Sequence, residues 1–122
     1  HIKAACSITK AVEKARRNII SLYAVQLQKN ISDLKKIEVE VKNIEEVEEA
    51  LLAECDIILL DNISPDLIDE SIKTINKKAK IEISGNIGLH NIEKFVREGI
   101  DFISIGAITH SAPSVDISMI FD

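Results

Sequence analysis

Asp61 ends an uninterrupted aliphatic run, Ile57-Ile58-Leu59-Leu60, and is followed by Asn62 and then by Ser64-Pro65-Asp66. Four aliphatic residues in a row are the pattern of a strand buried on both faces, as in a parallel sheet. An acid at the end of such a strand, just ahead of a helix start, stands where ligands bind in strand-then-helix folds. Three other segments end in a comparable way. Ile37 to Val41 (IEVEV) carries Glu40, Lys80 to Ser84 runs into Gly85-Asn86, and Ile100 to Ile105 runs into Gly106-Ala107-Ile108-Thr109. Two of these ends offer carboxylates, and two offer small residues and glycines. Carboxylates can hold Mg²⁺ or sugar hydroxyls. Glycine turns let backbone N–H groups approach a phosphate, aided by the dipole of a following helix. The combination suits a ribose phosphate carrying a pyrophosphate leaving group. A glycine at a βα turn is also common for steric reasons alone, so no single turn carries this reading.

The elements that must position these ends follow from periodicity. Ile8, Ala11, Val12, Ala15, Ile19 and Leu22 recur at helical spacing behind Ser7, a candidate N-cap. Lys14, Arg16 and Arg17 lie on or beside the polar side and read as a solvated face rather than an anion site. Tyr23 to Lys36 is irregular and is expected to be a loop, with a helical turn possible at Ile31 to Leu34. In IEVEV the β-branched residues alternate with Glu38 and Glu40, a strand pattern. Both acids then share one face, which either serves a ligand or cation or is an ordinary solvent-facing edge.

Asn43 with Glu46 forms a capping-box arrangement ahead of a stripe of Ile44, Val47, Ala50, Leu51 and Leu52. This helix is expected to stop near Glu54-Cys55. Ser64 is expected to cap the next helix, with Pro65 at its first position, where the missing N–H costs nothing. Its core face is Leu67, Ile68, Ile72 and Ile75, and Lys77, Lys78 and Lys80 crowd its end. A last helix is expected on Leu89, Ile92, Phe95 and Val96, closing at Gly99. Strand starts near Ile37, Asp56, Lys80 and Phe102, bridged by helices, make a βα repeat and hence a parallel sheet with right-handed crossovers. The fold class is α/β. Four strands cannot close an eight-stranded barrel, so the chain is either an open sheet or part of a barrel.

The chain has 122 residues, 46% of them hydrophobic, enough for one domain with a real core. A net charge of −5, with no basic block, argues against nucleic acid or an anionic membrane as partner. Aromatic residues are too few for base-stacking platforms. Cys6 and Cys55 fit no metal spacing and no disulfide framework, which reads as reduced thiols in the cytoplasm. No apolar run approaches the roughly 20 residues that span a bilayer. His1-Ile2-Lys3 has no initiator Met, which suggests a piece of a longer chain.

The string His1-Ile2, IEVEV at 37–41, IILLDN at 57–62, EISGNI at 82–87 and ISIGAITHS at 103–111 resembles nicotinate-nucleotide pyrophosphorylase, also called quinolinate phosphoribosyltransferase. The motifs run in order along essentially the whole chain. The resemblance covers the C-terminal barrel portion of that enzyme, residues 1–122, beginning just after the family's Lys-Asp-Asn. It implies part of an incomplete TIM-like α/β barrel, with an N-terminal domain and the first barrel elements outside this chain. The implied reaction joins quinolinate to 5-phosphoribosyl-1-pyrophosphate with Mg²⁺, giving nicotinate mononucleotide, CO₂ and pyrophosphate, a pentosyltransferase step of NAD biosynthesis. Carried over by position, Glu40 and Asp61 act at the ribose and the Mg-pyrophosphate. Ser84, Gly85 and Asn86, with Gly106, Ala107, Ile108 and Thr109, match the phosphate turns. A cytoplasmic homodimer or larger homo-oligomer is also implied.

There are departures. Asn86 stands where the family usually has a second Gly, and Glu54 and Cys6 replace two others. The basic clamp for the quinolinate carboxylates lies upstream of His1 in the family, so the 122 residues alone are expected to turn over no quinolinate. His1 matches a motif His, His110 lies close to the last phosphate turn and is a candidate substrate contact, and His90 reads as a surface residue. Two alternatives remain open: a paralogue acting on another ring acid, such as the molybdate-transport-associated member, and a non-catalytic phosphate-binding assembly domain. An aldolase-type barrel is disfavoured, because no strand carries a lysine at its carboxyl end.

Overall fold

A computed structural model describes residues 2–25 and 35–110. After a short helix α1 (Ile2–Ala5) come α2 (Ile8–Val25), β1 (Glu38–Val41), α3 (Ile44–Leu52), β2 (Ile57–Asp61), α4 (Pro65–Ile75), β3 (Lys80–Ser84), a 3₁₀ turn (Ile92–Lys94), β4 (Phe102–Ile103) and α5 (Ala107–His110). The four strands form one parallel sheet in the order β1-β2-β3-β4, so consecutive strands are neighbours. This is the α/β architecture of parallel βα repeats, an arc of the TIM-like type.

The register aligns Val39 with Ile58 and Ile81, and Val41 with Leu60 and Ile83. Strand side chains alternate between faces. These six residues are all buried and meet Val47, Ala50, Ile68 and Ile75 from α3 and α4, with Ile8 and Val12 from α2. Ile58, Leu60 and Ile83 are fully buried, each worth about 1.5–3 kcal/mol of transfer free energy. Leu60→Ala would open a cavity at the centre of this layer and cost about 2–5 kcal/mol.

Local chemistry explains the helix ends. Ser7 Oγ accepts the Lys10 amide at 3.2 Å, a side-chain N-cap for α2. Asn43 Oδ1 accepts the Glu46 amide at 2.8 Å, and Glu46 Oε2 reaches back to the Lys42 amide at 2.8 Å, one residue beyond the usual capping box. Ser64 occupies the N-cap of α4, but its hydroxyl makes no cap bond; its carbonyl takes the Leu67 and Ile68 amides instead.

The strand starts are held by acids. Asp56 Oδ2 accepts the Ile37 amide at 2.8 Å, and Asp101 Oδ2 accepts the Ile81 amide at 3.0 Å. Each acid sits just before one strand and secures the first amides of its neighbour.

Several expectations are corrected. Helix α2 runs on through Tyr23 to Val25, so the irregular segment begins later than periodicity suggested; Ile31 to Leu34 lies outside the described residues. Leu22 and Leu52, read as buried, are exposed; Leu51 and Ala53 on either side of Leu52 pack against the core, which leaves Leu52 on the outer side of its turn. The helix expected from Leu89 to Gly99 is reduced to the 3₁₀ turn, with Leu89 and Val96 exposed. Asn91 turns its side chain back onto the preceding loop: its Oδ1 takes the Gly88 amide at 2.8 Å and its Nδ2 donates to the Asn86 carbonyl at 2.9 Å. Side-chain bonds of this kind compete with a helical ladder. The last strand keeps only Phe102–Ile103 of the expected Ile100 to Ile105.

Candidate active site

The face of the sheet opposite the helices bears the polar set. By register and alternation it carries Glu38 and Glu40 from β1, Leu59 and Asp61 from β2, Lys80, Glu82 and Ser84 from β3, and Phe102 from β4. Glu38 and Glu40 thus share the face expected of them, away from the core. Burial of Glu38, and secondarily the charge of Glu82, push the Glu38 carboxyl above its ordinary range. Glu82 in turn accepts the Ser104 hydroxyl. Lys80 lies over the Phe102 ring, 5.3 Å from its centroid.

Asp61 is the best-defined member. One carboxylate oxygen takes the Ser84 hydroxyl at 2.8 Å, and the other takes Asn62 Nδ2 at 3.0 Å. Asp61 pairs with Ser84 across the sheet, and the Asn62 amide donates to the Ser84 carbonyl at 3.1 Å, so the ends of β2 and β3 are tied together. Glu40 is in register with Leu59, two residues before Asp61 on the adjacent strand. Strand spacing and rise place the two Cα atoms about 8 Å apart on one face. Glu40 is exposed and lies 3.5 Å from Lys42 Nζ.

Beyond Ser84 the chain turns through Gly85 (φ +97°) and Asn86 (φ 49°). Asn86 Nδ2 donates to Asn62 Oδ1 at 3.2 Å. At the end of β4, α5 starts directly after Gly106, whose carbonyl takes the Thr109 amide at 2.9 Å. The four strand ends that the sequence singled out therefore lie at one end of one sheet. His90 is exposed in a turn. His1 and the side chain of His110 lie outside the described residues.

The donors at Asp61 and Glu40 are carboxylate oxygens, flanked by the Ser84 hydroxyl and side-chain amides. That chemistry matches a hard cation such as Mg²⁺, which is usually held by one or two carboxylates together with substrate phosphates. Among the described residues, no cluster of three or more His, Cys, Asp or Glu could hold a metal by itself. The set fits an ion brought and shared by a phosphorylated ligand.

A cavity of about 1190 Å³ lies elsewhere, at the opposite ends of the strands, lined by Cys55, Asp56, Lys80 and Asp101 among others. Asp56 and Asp101 are occupied there with strand amides. Sequence reading gave no role to Asn62 or Glu82. The lysine-acid-serine alternation of Lys80-Ile81-Glu82-Ile83-Ser84 would have placed Glu82 on the face of Glu40; nothing in the sequence foretold the bonds of Asn62.

Comparison with known proteins identifies the relatives of the chain. The sequence profile of the quinolinate phosphoribosyl transferase C-terminal domain matches residues 1–120. A probable nicotinate-nucleotide pyrophosphorylase [carboxylating] of Synechocystis sp. is 40% identical over 122 residues, covering 98% of this chain and 37% of that protein. The protein of the same name in Methanocaldococcus jannaschii is 46% identical over 99 residues, covering 75% and 35%. Among solved structures, NadC from Streptococcus pyogenes superposes with a TM-score of 0.77 at 40% identity, covering 99% of this chain and 38% of that one. A NadC deletion mutant superposes with a TM-score of 0.79 at 39% identity, covering 95% and 37%. The chain spans little more than a third of the length of the curated relatives it matches.

Proposed function

The chain belongs to the quinolinate phosphoribosyl transferase C-terminal domain family, and on that premise we propose that the protein transfers a phosphoribosyl group from 5-phosphoribosyl-1-pyrophosphate to quinolinate. Decarboxylation accompanies the transfer and gives nicotinate mononucleotide for NAD biosynthesis. The observation that carries the reading is the Asp61 carboxylate, oriented by Ser84 and Asn62 at the strand ends, beside a glycine turn and on the face of Glu40. The relatives' names favour this acceptor over another ring acid.

In this reading the pyridine nitrogen bonds to the anomeric carbon as its bond to pyrophosphate breaks. That carbon becomes cationic, and Asp61 and Glu40 stabilise it and hold the ribose hydroxyls. Positioning and charge stabilisation supply the catalysis, with no covalent step by a side chain. Asp61 and Glu40 would also hold Mg²⁺, which when bound neutralises charge on the leaving pyrophosphate. Gly85, Asn86 and Gly106 to Thr109 cradle phosphate through backbone N–H groups. Ser84 opens the same turn, and its hydroxyl also donates to Asp61.

Supporting points for the setting are coarser. Net charge −5 disfavours nucleic acid, and among the described residues no helix is long and apolar enough to cross a membrane. Cys6 and Cys55 are both free thiols, in keeping with a cytoplasmic location. Assembly as a homodimer or larger homo-oligomer rests on the family resemblance.

The test is calorimetric titration of the full-length protein with 5-phosphoribosyl-1-pyrophosphate and Mg²⁺, alongside the rate of nicotinate mononucleotide formation. Asp61→Ala should lower the rate by about 100-fold or more, the scale of losing a charged transition-state contact. Undiminished turnover in Asp61→Ala would refute the assignment.

A further inference from the structure

Asp61 is held by side-chain amides to which the transfer reaction itself gives no part. We infer that Asn62 and Asn86 form a two-amide relay that fixes the orientation of the Asp61 carboxylate, making both of them positioning residues. The inference rests on the reading of Asp61 as a ribose and Mg-pyrophosphate contact.

Asn62 leaves β2 in a left-handed conformation, φ 53°, with its side-chain amide beside Asp61. With Nδ2 donating to one Asp61 oxygen and Ser84 Oγ to the other, rotation of the carboxylate breaks both bonds. The Asn62 amide can itself flip end over end. Flipped, it would present its carbonyl oxygen to a carboxylate, two acceptors facing each other. Asn86 reinforces the choice. Its Nδ2 donates to Asn62 Oδ1 at 3.2 Å, so a flip of Asn62 alone would lose both bonds, and a joint flip of the two amides would still face Asp61 with an acceptor.

The far end of the relay is anchored as well. Asn86 is left-handed, φ 49°, and its carbonyl takes Asn91 Nδ2 at 2.9 Å while Asn91 Oδ1 holds the Gly88 amide. Asn62 and Asn86 are exposed, so each hydrogen bond adds little to folding. Orientation of a catalytic carboxylate is a stricter requirement, because a displacement near 1 Å can cost about 100-fold in rate. The plainer account is that both asparagines are present only because asparagine tolerates left-handed backbone.

Glycine substitution separates the two accounts, since glycine keeps the left-handed turns and removes only the amides. In the full-length protein, Asn62→Gly and Asn86→Gly should each lower kcat about tenfold, with KM for 5-phosphoribosyl-1-pyrophosphate within about twofold and the thermal midpoint nearly unchanged. In an Asp61→Ala background, measured on the residual rate, neither change should cost anything further, because the relay acts only through that carboxylate. Parental kcat in both glycine variants, or full additivity with Asp61→Ala, overturns the relay while leaving the role of Asp61 intact. Full activity in Asp61→Ala overturns the role of Asp61 and the relay together.

Discussion

The side chain of Asn62 lies across Gly85, where a Cβ would come within 2.5 Å of Asn62 Cγ and 2.8 Å of its backbone nitrogen. Gly85 also has φ +97°, so conformation and contact both require glycine. The turn after β3 is therefore shaped by the end of β2 as much as by any ligand it would bind.

Gly85→Ala should consequently destabilise the chain by about 2 kcal/mol or more, from left-handed strain plus the collision with Asn62. Urea unfolding measures the loss. A variant as stable as the parent would mean that Asn62 can swing away at no cost.

Glu54 follows the C-cap of α3 with φ 56°, and Arg16 reaches its backbone carbonyl, while the Glu54 side chain makes no hydrogen bond among the described residues. Glu54→Gly should keep the Arg16 bond and relieve the left-handed strain, raising stability by about 1 kcal/mol. The thermal midpoint should rise by about 4 °C.

Asp101 is held below the ordinary carboxylate range first by the Ile81 amide and then by Lys80. A lowered folded value means stability that is present above the unfolded value, near pH 4, and is lost as pH falls through the folded value. Asp101→Ala should therefore be less stable than the parent at pH 7, and the gap should narrow below about pH 4. Urea midpoints at pH 7, 5 and 3 give the comparison.

Glu38 behaves in the opposite sense. Its raised carboxyl, caused by burial and then by Glu82, means that ionisation opposes folding once pH rises through the carboxylate range. Glu38→Gln should stabilise the chain at neutral pH and lose that advantage as pH falls below about 4. Glu82→Gln in the same background should bring less benefit than it does alone, since the repulsion is already removed.

Sequence by itself determined the repeat, the face and the ends. The aliphatic run of Ile57 to Leu60 announced a strand, though only its Ile58 and Leu60 face is buried and Ile57 and Leu59 stay part-exposed; the alternation in IEVEV put Glu38 and Glu40 together, because strand periodicity is a local property of the backbone. Motif order was enough to indicate the family, and Asn43 with Glu46 announced a helix start that the structure keeps. Tertiary structure decided what depended on partners distant in the chain. The amphipathic spacing of Leu89 to Val96 was sound, yet Asn91 spends its side chain on Gly88 and Asn86 and leaves one 3₁₀ turn. Leu22 and Leu52 were read at helical spacing yet are exposed among the described residues. Ser84, placed by its sequence in a phosphate turn, gives its hydroxyl to Asp61, 23 positions earlier. The register of β2 with β3 alone brings Asp61 against Ser84, and the two strand-end turns bring Asn62 to Asn86. Pairing between strands, unlike the period within one, is fixed by the packing of the whole sheet.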